Sequence, residues 1–269
     1  MSQAPIATAE LASLDGRVMP ASEATIPATD EGLLRGDGVF EVIRIYDGRP
    51  FALVDHLDRM EVSAANLRLP ETFRSELEAE IAELLAERGG PEFDGLLRLV
   101  LTRGGHRLLL TEPLPVPAAS IRLGVIEYAP TRVLNGVKSL SYGGNMLCTR
   151  LAKERGFDEA LLVTPHGRVL EAPTSSLFWV DADGVVCTPP LSEHILASIT
   201  RARVMDVVEV EERVCTLDDL RAAGEAFLAS TTREVQPIAA IEDIEFAEGE
   251  RTREAQAALR TRIEAELAA

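Results

Sequence analysis

The sequence predicts an α+β fold in two domains. Runs with the β-branched content of strands dominate the core of both halves, and helical runs lie outside them. Between the halves, Thr111–Pro117 carries three prolines in five residues, a stiff and extended connection. A chain of 269 residues is long enough for two medium cores. The expected division is therefore 1–116 and 117–269.

Taken in order, the first strand runs from about Ile6 to Leu14 and ends in the turn Asp15-Gly16-Arg17. Asp30–Leu34 reads as a short turn. Val39–Tyr46 is a strand closed by Asp47-Gly48. Alternation puts Phe40, Val42 and Arg44 on one face and Glu41, Ile43 and Ile45 on the other. A helix begins at Asp55, its N-cap, and continues through Ala65. A second covers roughly Glu71–Arg88 and stops at Gly89-Gly90-Pro91. The strand Gly95–Gly104 sets Arg98, Val100 and Thr102 on one face, and Gly104–Arg107 is a turn. In the second half, Ser120–Ile126 is a strand and about Asn145–Arg155 a helix. Glu159–Thr164 with Val169–Leu170, and Phe178–Val180 with Val185–Cys187, form two hairpins. A helix starts near Ser198 and runs to about Val208. Val210–Cys215 and Ala226–Ala229 are strands around a short helix capped by Thr216. A last helix spans about Arg251–Leu267.

Composition excludes several classes of function. The formal charge of −17 argues against nucleic acid or an anionic membrane as partner. No apolar run approaches the roughly 18 residues of a membrane span. Met1–Pro5 has no basic region followed by an apolar stretch, so no secretory signal is expected. Cys148, Cys187 and Cys215 are odd in number and unclustered, which points to buried free thiols in a reducing cytoplasm and to no metal site.

The chain has 25 arginines and two lysines, Lys138 and Lys153. Lys153 lies in a charged helical run, an ordinary solvated face. Lys138 ends a short apolar run, where an amine is either a plain strand-end lysine or, if desolvated, a Schiff-base former. The pair Gly36 and Gly38 precedes a strand, so it is not a dinucleotide-binding loop.

Several motifs recur in a fixed order: Gly36-Asp37-Gly38-Val39-Phe40-Glu41, His56-Leu57-Asp58-Arg59, Val137–Tyr142 around Lys138, Gly156–Val163, Gly167–Glu171, Thr174–Val180 and Leu196–Arg201. This order resembles the class IV, fold-type IV pyridoxal-phosphate enzymes. That group holds branched-chain and D-amino-acid aminotransferases, (R)-amine transaminases and aminodeoxychorismate lyase. The resemblance runs from about Asp15 to about Pro237. It implies two domains, each a mainly antiparallel sheet or barrel with flanking helices, and pyridoxal 5′-phosphate as cofactor.

The resemblance also implies roles. Lys138 matches the amine that carries the cofactor and shuttles the substrate proton. Glu171 matches the glutamate facing the pyridine nitrogen; otherwise it is a surface residue after a hairpin. Arg59 matches the phosphate-binding arginine; without the motif it is a surface helix residue. Ser198, Ile199 and Thr200 match a phosphate-binding loop-to-helix segment, with serine where the family usually has glycine. Thr231 and Thr232 match a second phosphate loop. Ser176, where relatives often carry asparagine, remains able to hydrogen-bond on the cofactor side. Phe40, Arg44 and Arg98 match strand positions lining the substrate pocket. The two arginines either bind substrate carboxylates or pair with nearby acidic residues.

The implied reaction moves an amino group between an amino acid, a D-amino acid or a related primary amine and a 2-keto acid. The alternative is release of pyruvate and 4-aminobenzoate by an aminodeoxychorismate lyase. Arg103–Arg107 lacks the spaced Arg-x-His of typical D-amino-acid enzymes. The resemblance further implies a homodimer in the cytoplasm.

Overall fold

A computed structural model describes residues 10–268. The expected strand start at Ile6 and the stretch Met1–Pro5 lie outside the described residues. The chain divides into two compact units. One runs as far as Pro115 and also takes in Val137–Ser141; the other comprises Val116–Gly136 and the chain from Tyr142 onward.

In the first unit, β1 (Leu11–Leu14), β2 (Arg17–Pro20), β3 (Gly38–Tyr46), β4 (Arg49–Pro50), β5 (Gly95–Thr102) and β6 (Arg107–Glu112) form one sheet in the order β2-β1-β6-β5-β3-β4. Every pairing is antiparallel. Ile43, Leu97, Leu99 and Leu109 pack in one core with Leu57 and Met60 of α2 (Leu53–Leu67) and Leu77, Ile81 and Leu84 of α3 (Arg74–Glu87). Each such buried side chain contributes roughly 1.5–3 kcal/mol, which drives the helices onto this face. Cross-strand register assigns Phe40, Val42, Arg44, Leu96, Arg98, Val100, Leu108, Leu110 and Glu112 to the other face.

Local chemistry shifts three expected boundaries here. Asp30 accepts a hydrogen bond from the Gly32 N–H, so the expected turn is a short helix, α1 (Glu31–Arg35). The helix expected to begin at Asp55 begins at Leu53, because Ala52 turns the chain at φ 52° and Leu53 packs against the core. Thr111 and Glu112, read as linker, end β6: Thr111 pairs with Leu97 and Glu112 with Leu96.

In the second unit, β7 (Ile121–Glu127), β8 (Glu159–Val163), β9 (Ser176–Val180), β10 (Val186–Thr188), β11 (Val210–Glu212), β12 (Glu225–Ser230) and β13 (Glu234–Ile241) form a sheet in the order β11-β10-β9-β12-β13-β7-β8, with β14 (Ile244–Glu245) on β13. The sheet is mixed: β7 runs parallel to both β13 and β8, and β10 runs parallel to β11. Its core gathers Leu161, Val169, Leu177, Trp179, Leu220, Leu228 and Ile238. Helices α4 (Gly143–Glu154), α5 (Ile199–Val207), α6 (Leu217–Ala222) and α7 (Glu250–Ala268) complete it. The second arm of the expected 159–170 hairpin is not a regular strand: Val169 bridges Val163 on one side and Cys215 on the other, and Leu170 N–H donates to Leu162 O. The strand expected over 210–215 closes at Glu212, where its pairing with β10 ends at Thr188, and Cys215 pairs with Val169 instead. All three cysteines are buried and free.

Candidate active site

Lys138 belongs to the first unit, and the glycine motif explains how it is held there. The segment 137–141 lies along the start of β3, with a bridge between Val39 and Ser139. Phe40 N–H donates to Lys138 O at 3.0 Å, and Leu140 N–H to Gly38 O at 2.9 Å. A Cβ on Gly38 would meet the Leu101 carbonyl oxygen at 2.4 Å and Leu140 Cδ1 at 2.6 Å, so only glycine allows this approach. From α2, the Ser63 hydroxyl accepts the Lys138 N–H at 3.2 Å. The backbone of Lys138 is thus fixed by both β3 and α2. Its Nζ lies 4.4 Å from the centre of the Phe40 ring, a cation–π distance.

One residue on, alternation sends Glu41 to the helix side of the sheet, where it is fully buried. His56 and Arg59 stand three apart on α2 and meet it from one helix face. Arg59 forms a two-point contact, Nε to Oε1 at 2.7 Å and Nη2 to Oε2 at 2.6 Å. His56 Nδ1 is 2.7 Å from Oε2. Burial alone would raise the Glu41 carboxyl, but the hydrogen bonds of Arg59 and His56 reverse this and lower it to about 2. Burial pushes the His56 imidazole below its usual range, outweighing the opposite pull of Glu41. A neutral His56 therefore donates its Nδ1–H to the Glu41 carboxylate.

Both arginines proposed as carboxylate anchors are paired with acidic residues of the chain itself, the second of the two readings left open. Arg44 is buried; its Nη2 meets Asp94 at 2.5 Å, its Nη1 donates to the carbonyls of Gly95 and Ile45, and it lies 4.2 Å over the Tyr46 ring. Arg98 forms a two-point pair with Glu112, at 2.5 and 3.0 Å.

In the second unit, Glu171 and the Leu196–Thr200 segment come together. Glu171 Oε1 accepts the Leu196 N–H at 3.1 Å. Ser198, the residue that departs from glycine, is the N-cap of α5: it has ordinary extended backbone, φ −74°, and its hydroxyl accepts the Arg201 N–H at 3.2 Å. The N–H groups of Ile199 and Thr200 are first-turn donors left over by the helix itself. Thr231 and Thr232 sit in the turn between β12 and β13, with Thr232 Oγ1 3.4 Å from Ser230 Oγ. Ser175 Oγ and Ser176 Oγ are buried without a hydrogen-bond partner.

Sequence reasoning gave no role to Glu41, His56 or Glu112. Glu41 and His56 were inside motifs already singled out. The clue was the 56/59 spacing facing an acidic residue on the apolar side of a strand. For Glu112 there is none, because it stands at the start of the proline-rich run while pairing with Leu96. Among the described residues no His/Cys/Asp/Glu group is arranged to hold a metal, and no helix is long and apolar enough to cross a membrane.

The profile of the amino-transferase class IV family matches residues 38–241. The D-alanine aminotransferase of Bacillus licheniformis is 35% identical, the match covering 94% of this chain and 97% of that protein. A putative branched-chain-amino-acid aminotransferase of Methanocaldococcus jannaschii is 34% identical over 84% of this chain and 85% of its own length. A solved fold IV transaminase from Curtobacterium pusillum superposes with a TM-score of 0.84 at 31% identity, over 93% of this chain and 98% of that one.

Proposed function

This chain belongs to the class IV aminotransferase family, and we propose that it is a pyridoxal-phosphate transaminase whose reacting amine is Lys138. The amino donor is an amino acid and the acceptor a 2-keto acid. The observation that carries the assignment is the placement of Lys138. Its backbone is locked to β3 and α2, and its amine is held over the Phe40 ring. The relatives described above are transaminases, which favours this reading over the lyase.

The residues present fit the cofactor. A phosphorylated pyridine aldehyde calls for an amine, an acid for the ring nitrogen, and donors for the phosphate. The leftover N–H groups opening α5 are such donors, and the buried, unpartnered hydroxyls of Ser175 and Ser176 are further hydrogen-bonding groups on the cofactor side. Bound pyridoxal phosphate supplies the electron sink for breaking a bond at the substrate α-carbon. Lys138 Nζ would hold the cofactor, and its amine would be the group that takes up and returns the substrate α-proton. The Glu171 carboxylate would hold the proton on the ring nitrogen. By family likeness Ile199, Thr200, Thr231 and Thr232 would hold the phosphate, and Arg59, whose Nε and Nη2 edge is taken by Glu41, would meet it with the rest of its guanidinium. Family likeness alone supports extending the proposal to a homodimer in the cytoplasm, which light scattering and cell fractionation test.

Borohydride reduction of the holoenzyme followed by peptide mass mapping is the decisive experiment. The pyridoxyl group is expected on Lys138; finding it on Lys153 overturns the assignment.

A further inference from the structure

The strand face that carries Phe40 also carries an ion pair close to the proposed amine. Register aligns Leu96 with Glu112 and Arg98 with Leu110, so Arg98 and Glu112 are diagonal neighbours on one face. Arg98 gives its Nε and Nη2 edge to the two oxygens of Glu112. The pair keeps contact with solvent, with side-chain exposures of 35% and 22%. The guanidinium carbon lies 5.7 Å from the centre of the Phe40 ring, and Lys138 Nζ lies 4.4 Å from the same centre. The cation is therefore at most about 10 Å from the amine. Arg44, by contrast, is sealed among Asp94, two backbone carbonyls and Tyr46 and is not offered to a ligand.

We propose that Glu112 determines side-chain specificity: by capping Arg98 it makes this subsite electrically neutral and turns the enzyme away from dicarboxylic amino donors toward uncharged ones. This rests on the reading of Lys138 as the reacting amine. The physical basis is competition. The Nε/Nη2 edge of an arginine is the fork that binds a carboxylate by two parallel hydrogen bonds. Glu112 already fills it. A second carboxylate entering there meets a like charge beside a cation that is already neutralised, which is a repulsive device against that substrate class. An apolar side chain laid on this face would meet Phe40, Val42, Val100 and Leu110 and the flat guanidinium without a charge penalty.

The test is Glu112→Gln, which keeps the shape and removes the charge. Two readouts are taken on the holoenzyme. One is the donor half-reaction with D- and L-glutamate against D- and L-alanine; the other is thermal stabilisation by glutarate, which needs no turnover. We expect kcat/KM for glutamate relative to alanine to rise by about tenfold or more, through KM. Glutarate stabilisation should grow, and both gains should fade with salt. Both should vanish in the double variant Glu112→Gln/Arg98→Gln, and Glu112→Asp should keep the original preference. An unchanged ratio and an unchanged glutarate shift, or equal gains for both donors, overturn the proposal. If Glu112→Gln does not fold, Arg98→Gln serves: it leaves Glu112 uncompensated, so the glutamate-to-alanine ratio must fall, and an unchanged ratio is equally fatal. A borohydride label away from Lys138 would remove the amine assignment while leaving the glutarate result interpretable.

Discussion

The ε-amine of Lys138 stands 4.4 Å from the centre of the Phe40 ring, and the backbones of the two residues are joined by a hydrogen bond from Phe40 N–H to Lys138 O. One strand residue thus contacts both ends of the lysine, its main chain and its amine.

A first prediction follows for Phe40→Leu. The leucine keeps an apolar neighbour but lacks a ring face, whose attraction for a cation is worth roughly 0.5–2 kcal/mol. The amino-donor half-reaction should slow by about threefold to thirtyfold, with borohydride labelling still on Lys138. Stopped-flow absorbance measures this, and an unaltered rate would show that the ring is only packing.

Acid should destabilise the protein in two stages. The unfolded chain protonates histidine near 6.5, whereas buried His56 resists the proton, so stability declines as pH falls below 6.5. Glu41 is held at about 2 against an ordinary 4.5, so its contribution is complete above 4.5 and is lost as pH falls toward 2. That difference corresponds to about 3 kcal/mol. Glu41→Gln should lower Tm at pH 7 and flatten the stage below pH 4.5. A variant melting like the parent across that range removes Glu41 from the account.

Ser198 should tolerate glycine better than alanine. An N-cap lost to alanine costs about 1 kcal/mol, and to glycine a few tenths. Ser198→Ala should therefore lower Tm more than Ser198→Gly and weaken cofactor retention on dialysis, because the turn that aims the Ile199 and Thr200 N–H groups loosens. Equal melting of the two variants would separate Ser198 from helix capping.

Arg44→Ala should behave as a structural lesion. With its guanidinium engaged by Asp94, Gly95 and Tyr46, removal should cost several degrees of Tm yet leave KM for the keto acid unchanged. A sharp rise in KM without loss of Tm would restore it as a carboxylate anchor.

Much of this was legible in the sequence because it depends on period and punctuation. Alternation along Val39–Tyr46 separates Phe40 from Glu41, and the 56/59 spacing puts two donors on one helix face. What escaped depends on partners distant in the chain. β13 went unread because Pro237 interrupts its pattern, although Pro237 pairs with Phe227 on β12. The end of β6 was lost to the neighbouring prolines, and Glu112 with it. Arg44 and Arg98 could be given a face but not a partner, since Asp94 and Glu112 lie 50 and 14 residues away from them.

The assignment of Val137–Ser141 to the first unit also bears on how such a protein can be made. Cutting the chain at the proline-rich connection would leave the amine on the wrong fragment. On the ribosome, the first unit cannot close until Ser141 has emerged, after 21 residues of the second unit, Val116–Gly136, have already passed. A first half cut at that proline-rich connection would lack the amine proposed to do its chemistry, because that residue is threaded into one half from the sequence of the other.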